Sequence, residues 1–166
     1  MVDVASDEGA ESSVKIGVRL GGAPDEIGEW LADAAAFDAG GADALWVDCG
    51  PEPEWDVLAL AAALAVVTFR ARLVLVPPEA PDKRTVDTIG LLSRGRLVLA
   101  ADFHAAAERW VAVPVPEGRA AWRAACAEAA EGGAQWVVVP ADPRVLDILR
   151  NPDDPGDRHD LQLAQG

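Results

Sequence analysis

Three groups of residues in this chain have side chains and spacings suited to chemistry. His104 stands two places after Asp102, and an imidazole that titrates near neutrality with a carboxylate to fix its tautomer can take up and release a proton. A histidine on a surface loop is the plainer reading of the same residues. Asp48 and Cys49 directly follow the apolar run Ala44-Leu-Trp-Val47, so a carboxylate stands where a buried segment surfaces and must be solvated, paired or used on a ligand. Lys83 and Arg84 belong to a run of six basic residues between positions 70 and 96, with Arg70, Arg72, Arg94 and Arg96. No spacing matches a zinc site, a phosphate-binding P-loop or a Ser-His-Asp hydrolase.

The elements that must position these groups alternate. Lys15–Leu20, Ala44–Asp48, Arg72–Pro77, Arg96–Ala101, Arg109–Val113 and Gln135–Val139 read as short strands, several apolar throughout, as expected when both faces of a parallel sheet are buried. Between them lie helical patterns. Pro24, Asp25 and Glu26 open one whose apolar face is Ile27, Trp30, Leu31, Ala34 and Phe37, and Gly40-Gly41 closes it. A second carries a stripe of Trp55, Leu58, Ala62, Ala65, Val66 and Phe69; Lys83–Leu92, Glu117–Glu131 and a segment capped by Asp142 follow. Core packing is the expected role of Trp30, Trp46, Trp55, Trp122 and Trp136, while Trp110 has no clear place. Asp102 to Glu108 is shorter than a parallel crossover requires, so the alternation is irregular there.

Such alternation predicts α/β architecture with mainly parallel strands, as a barrel or a doubly wound sheet. Ligand-contacting groups then belong at the C-terminal strand ends: Arg19, Asp48 with Cys49, Val76 with Pro77, and Asp102 with His104. Arg70, Arg72, Arg94 and Arg96 fall at strand starts, on the opposite side, and are expected to form a solvated rim. Lys83 and Arg84 alone among the six lie where a phosphate would be reached.

The run Leu60-Ala-Ala-Ala-Leu-Ala-Val-Val-Thr-Phe-Arg-Ala-Arg-Leu-Val-Leu75, followed by Thr88-Ile-Gly-Leu-Leu-Ser-Arg-Gly-Arg-Leu-Val-Leu99, resembles the bacterial luciferase-like monooxygenase superfamily. The likeness covers residues 15 to 101 and, more loosely, 117 to 150. It implies a (β/α)8 barrel binding FMN or a deazaflavin coenzyme at the C-terminal strand ends, where hydride is transferred or oxygen activated. On that pattern His104 and Asp102 take the catalytic position, and Asp48, Cys49, Val76, Pro77, Lys83 and Arg84 the coenzyme-binding positions. The chain departs from it in having six strands rather than eight, about half the usual length, and Asp102-Phe103-His104 where the family has a glycine-rich turn.

The expectation is therefore an incomplete or shortened TIM-like barrel over residues 14–150, with a disordered leader at 1–13 and a polar tail at 151–166. It would be a flavin- or deazaflavin-dependent oxidoreductase homologue that keeps or has lost its activity. The alternative is a non-catalytic interaction protein whose unclosed sheet edges pair with a second copy or with a full-length relative; a dimer is expected in both cases. With 28 acidic against 14 basic residues the formal charge is −14, which disfavours nucleic acid and anionic membranes. The longest apolar run, Val57–Phe69, is 13 residues, short of the roughly 20 of a spanning helix. Met1–Ser13 has no signal-peptide pattern, and two widely spaced cysteines, Cys49 and Cys126, imply reduced thiols in the cytoplasm.

Overall fold

The computed structural model describes residues 14–21, 26–48, 50, 54–100, 108–152 and 154. Expectations for the leader, Cys49, Asp102, His104 and most of the tail lie outside these residues.

The described residues form six strands and five helices: β1 (Lys15–Leu20), α1 (Ile27–Gly40), β2 (Ala44–Asp48), α2 (Val57–Val67), β3 (Arg72–Val76), α3 (Lys83–Leu92), β4 (Leu97–Leu99), β5 (Trp110–Ala112), α4 (Arg119–Glu131), β6 (Trp136–Pro140) and α5 (Pro143–Arg150). All strand pairs are parallel, in the order β4-β3-β2-β1-β6-β5. β5 lies at the edge opposite β4 and pairs with β6, and most of the residues that join β4 to β5 lie outside those described.

Side chains alternate across the pleat. Val18, Leu20, Leu45, Val47, Leu73, Leu75, Val137 and Val139 point to one face and form a single core with the buried residues of all five helices, among them Phe37, Leu64, Ile89, Trp122 and Ile148. The opposite face bears a separate cluster without helical residues: Ala44, Trp46, Val74, Ala100, Trp110, Trp136 and Val138. The described helices thus cover one face only.

The face that bears no described helix is concave. Trp110 on β5 meets Trp46 on β2 edge-to-face at 5.2 Å although β6 and β1 intervene, and a flat sheet would separate those backbones by about 14 Å at ~4.8 Å per strand. Arg72 at the start of β3 reaches still further, pairing with Glu108 at 3.0 Å and placing its guanidinium 5.1 Å from the Trp136 ring. Trp110 also stacks on Trp136 at 4.2 Å. Gly17 makes room for this: a Cβ there would stand 3.0 Å from Val138 Cγ2 and 3.1 Å from Trp110 Cζ3, so the bare backbone lets the indole pass over β1.

The predicted helix face of α2 is corrected. Val57, Leu60, Ala61, Leu64 and Ala65 are buried, whereas Val66 and Phe69 are 62% and 63% exposed and Trp55 is also exposed. The helix is apolar all round, so its sequence has no polar side to mark which face turns inward.

The turn from α2 into β3 is held by a buried carboxylate. Asp38, on α1, accepts N–H bonds from Phe69 at 2.8 Å, Arg70 at 2.9 Å and Ala71 at 2.6 Å. Burial pushes its pKa up, but those bonds, that from Ala71 foremost, and the Arg96 charge outweigh it and hold the carboxyl below the usual range. Among the described residues no helix is long and apolar enough to cross a membrane.

Candidate functional site

At the C-terminal end of the concave face lies a cleft of about 460 Å³, within the size range of small-molecule sites. Strand register assembles it. Arg19 on β1 stands opposite Trp46 on β2 and Pro140 on β6, and Asp48, two places beyond Trp46, projects from the same face at the mouth. Trp46 and Val138 form the floor and Pro114 and Pro140 one wall. The opening therefore holds one guanidinium and one carboxylate over an aromatic and aliphatic base.

Arg19 is exposed and makes no ion pair among the described residues, so its donors can meet an anion. Asp48 is exposed as well. One of its oxygens accepts the Gly50 N–H at 3.0 Å, a local turn that Gly50 completes with φ of 70°, and the other oxygen is open to a donor.

The remaining expected residues are distributed differently. Val76 sits opposite Asp48 in the register and packs against the tryptophan cluster from the concave side. Pro77 lines a different hollow of about 470 Å³ with Trp55, Asp56, Glu79 and Asp82. Two of those acids are already engaged, since Asp56 caps α2 and Asp82 caps α3. Lys83 is paired with Asp87 at 2.6 Å on the exposed first turns of α3, Arg84 is exposed beside it, and neither lines the cleft. Cys49, Asp102 and His104 lie outside the described residues.

Sequence reasoning missed a third hollow, of about 360 Å³, where α4 and α5 begin. Gly118 precedes α4 without a side chain to accept the first-turn amides, which leaves them available to an anion. Its two arginines are already neutralised, Arg119 by Asp147 at 2.7 Å and Arg144 by Asp142 at 3.0 Å.

The residues carrying the family resemblance serve the fold instead. Arg96 donates to the Thr68 carbonyl at 2.7 Å, the Ala71 carbonyl at 2.8 Å, the Thr68 hydroxyl at 3.0 Å and the Ala65 carbonyl at 3.3 Å, closing the C-terminal end of α2. It is a clamp, not part of a solvated rim. Ser93 is fully buried and donates to Gly90 O, while Arg94 and Gly95 take the left-handed backbone, with φ of 56° and 78°, that turns α3 into β4. All of these lie at the end of the sheet where strands begin, away from the cleft. No family model and no curated protein matches this chain.

Proposed function

We propose that the chain is an open, six-stranded relative of the luciferase-like barrels that binds a planar, anionic coenzyme of the flavin or deazaflavin type in the cleft between Arg19 and Asp48. The observation that carries this reading is the one-sided winding. With helices on one face and β1 flanked by β2 and β6, the strand ends converge on a concave mouth, as they do in a (β/α) barrel left open between its fourth and fifth strands.

The residues at the mouth fit such a group in three respects. Ala112, Pro114 and Pro140 offer an apolar wall to a ring system, Arg19 offers a guanidinium to an anionic substituent, and the open oxygen of Asp48 accepts a ring N–H. A bound flavin or deazaflavin supplies the capacity to accept or deliver hydride; the chain's part is to bind and orient it.

The test is a titration of the full chain with FMN and with a deazaflavin coenzyme, followed by quenching of tryptophan fluorescence. Saturable binding, weakened by Arg19→Ala and by Asp48→Ala, is expected. No saturable change at high micromolar coenzyme would refute the reading.

One observation favours the non-catalytic alternative. On β4 the backbone groups of Arg96 and Ala100 bond to β3, so by alternation those of Leu97 and Leu99 point to the open edge; Val98 and Leu99 are exposed there. Under that reading this edge receives a strand from another chain.

A further inference from the structure

On the helical side of the sheet, a groove of about 340 Å³ runs between the ends of α1 and α5 and the first turns of α4. Ile16, Trp122, Ile148 and Leu149 give it an apolar floor, and its charged lining residues are Arg119 and Arg123. In a chain of formal charge −14, a hollow lined by two arginines and no carboxylate is an exception, and it suits an acidic occupant with apolar side chains.

The groove is unfilled by the described residues in two further respects. Trp122 is only 8% exposed, yet its indole N–H has no hydrogen-bond partner among them, and a donor in so buried a side chain costs free energy until an acceptor meets it. Arg123, and Arg150 beside Gly40 at the end of the groove, are exposed and pair with no carboxylate among the described residues.

The chain itself leads into this groove. Beyond α5, Pro152 is part of the lining, and the Asp154 carboxylate comes within 3.9 Å of Arg119, which also pairs with Asp147 at 2.7 Å and reaches the Asn151 carbonyl at 3.4 Å. The residues that follow, 155–166, lie outside those described and carry Asp157 and Asp160 ahead of Leu161-Gln162-Leu163.

We infer that this C-terminal segment lies along the groove as a strap, with Leu161 and Leu163 on the apolar floor and its acids against Arg123 and Arg150. In extended backbone, residues two apart face the same side, so both leucines can meet the floor together. The seven residues from Asp154 to Leu161 span up to about 23 Å, more than the roughly 20 Å length of α4, so the segment can reach any part of it. Tethering selects this occupant over one from solution, because a segment entering at Pro152 is present at an effective concentration on the order of millimolar. Its backbone carbonyls supply the acceptor that Trp122 lacks. The strap stands apart from the coenzyme reading, because the groove lies on the helical side of the sheet and the cleft on the concave side.

NMR on the isotope-labelled full chain tests it, with the Trp122 indole signal assigned by Trp122→Phe. Leu161→Ser together with Leu163→Ser should move that signal and speed its exchange with solvent about tenfold, the scale of exposing part of two leucine side chains. The indole signal of Trp55, which lines a different hollow, should stay in place. Arg123→Glu should act on Trp122 in the same direction. A nitroxide on Gln162→Cys, in a Cys49→Ser and Cys126→Ser background, should broaden the Trp122 signal and spare Trp55. A Trp122 signal indifferent to the leucine replacements would overturn the proposal. So would a nitroxide that leaves it sharp, or broadening produced only by a nitroxide on a separate chain, which would put the segment of a second copy in the groove.

Discussion

Asp38 and Arg96 hold the same turn from opposite sides: the carboxylate takes the amides of Phe69, Arg70 and Ala71, and the guanidinium takes the carbonyls of Thr68 and Ala71. α1, the end of α2 and the entry to β4 are joined through this one turn. Removing either side chain strands buried polar backbone. Asp38→Ala and Arg96→Ala are each expected to cost about 2–4 kcal/mol, measured by urea denaturation, and the double mutant to cost less than the sum because both singles loosen the same turn.

The Asp38 carboxyl also sets an acid limit. Its pKa is lower in the folded than in the unfolded chain, so its contribution is complete above the ordinary carboxylate range and is lost as pH falls through the folded value. The stability gap between wild type and Asp38→Asn is therefore expected to be constant from about pH 6 to 8 and to narrow below about pH 4. Chemical denaturation across that range measures it; a gap that widens on acidification would contradict the assignment.

Cys126 is governed by burial in the opposite sense, its thiol pushed up to about 11. An unfolded thiol ionises near 8.5, so folding is opposed by thiolate formation as pH rises from there toward 11. In a Cys49→Ser background, alkylation of Cys126 at pH 8 should be much slower in the native than in the urea-unfolded chain.

Gly17 is expected to tolerate no side chain. Gly17→Ala brings a methyl within 3.0 to 3.1 Å of Val138 and Trp110, at a cost of about 1–3 kcal/mol. Near-UV circular dichroism reports the Trp110–Trp136 stack directly, and its signal should change in this variant and in Trp110→Phe.

If the cleft binds a flavin or deazaflavin as proposed, Arg19→Ala should lower that affinity by about tenfold, the scale of one charge-assisted hydrogen bond, while leaving the melting temperature near that of the wild type, since the side chain is exposed and unpaired among the described residues. Lys83→Ala, whose side chain lies outside the cleft, should leave binding unaltered.

Local patterns announced the strands. Ala44–Val47 and Trp136–Pro140 are apolar because one face of each strand packs under the helices and the other into the tryptophan cluster, and Asp142 with Pro143 marks the start of α5 as written. Arg19 and Asp48 were legible as strand-end residues, and register then brings them to one mouth. What could not be read was non-local. β5 crosses to the far edge because β6 pairs with it, a preference absent from Trp110–Ala112 itself, and a uniformly apolar α2 has no phase from which to tell that Val66 and Phe69 turn outward. Pro77 follows β3 as expected, yet the loop carries it beside Trp55 instead of Asp48. The tryptophan stack left one trace, a glycine in the middle of β1.

β1 is hydrogen-bonded on one side to β2 and on the other to β6, so an element formed from residues near 15 is completed only by residues near 136. On the ribosome, the first four strands emerge and can associate while one flank of β1 still has its amides and carbonyls facing water. That flank is sealed only when the segment from Trp136 to Pro140 has left the exit tunnel, so the ladder of β1 stays half made until β6 is available to pair.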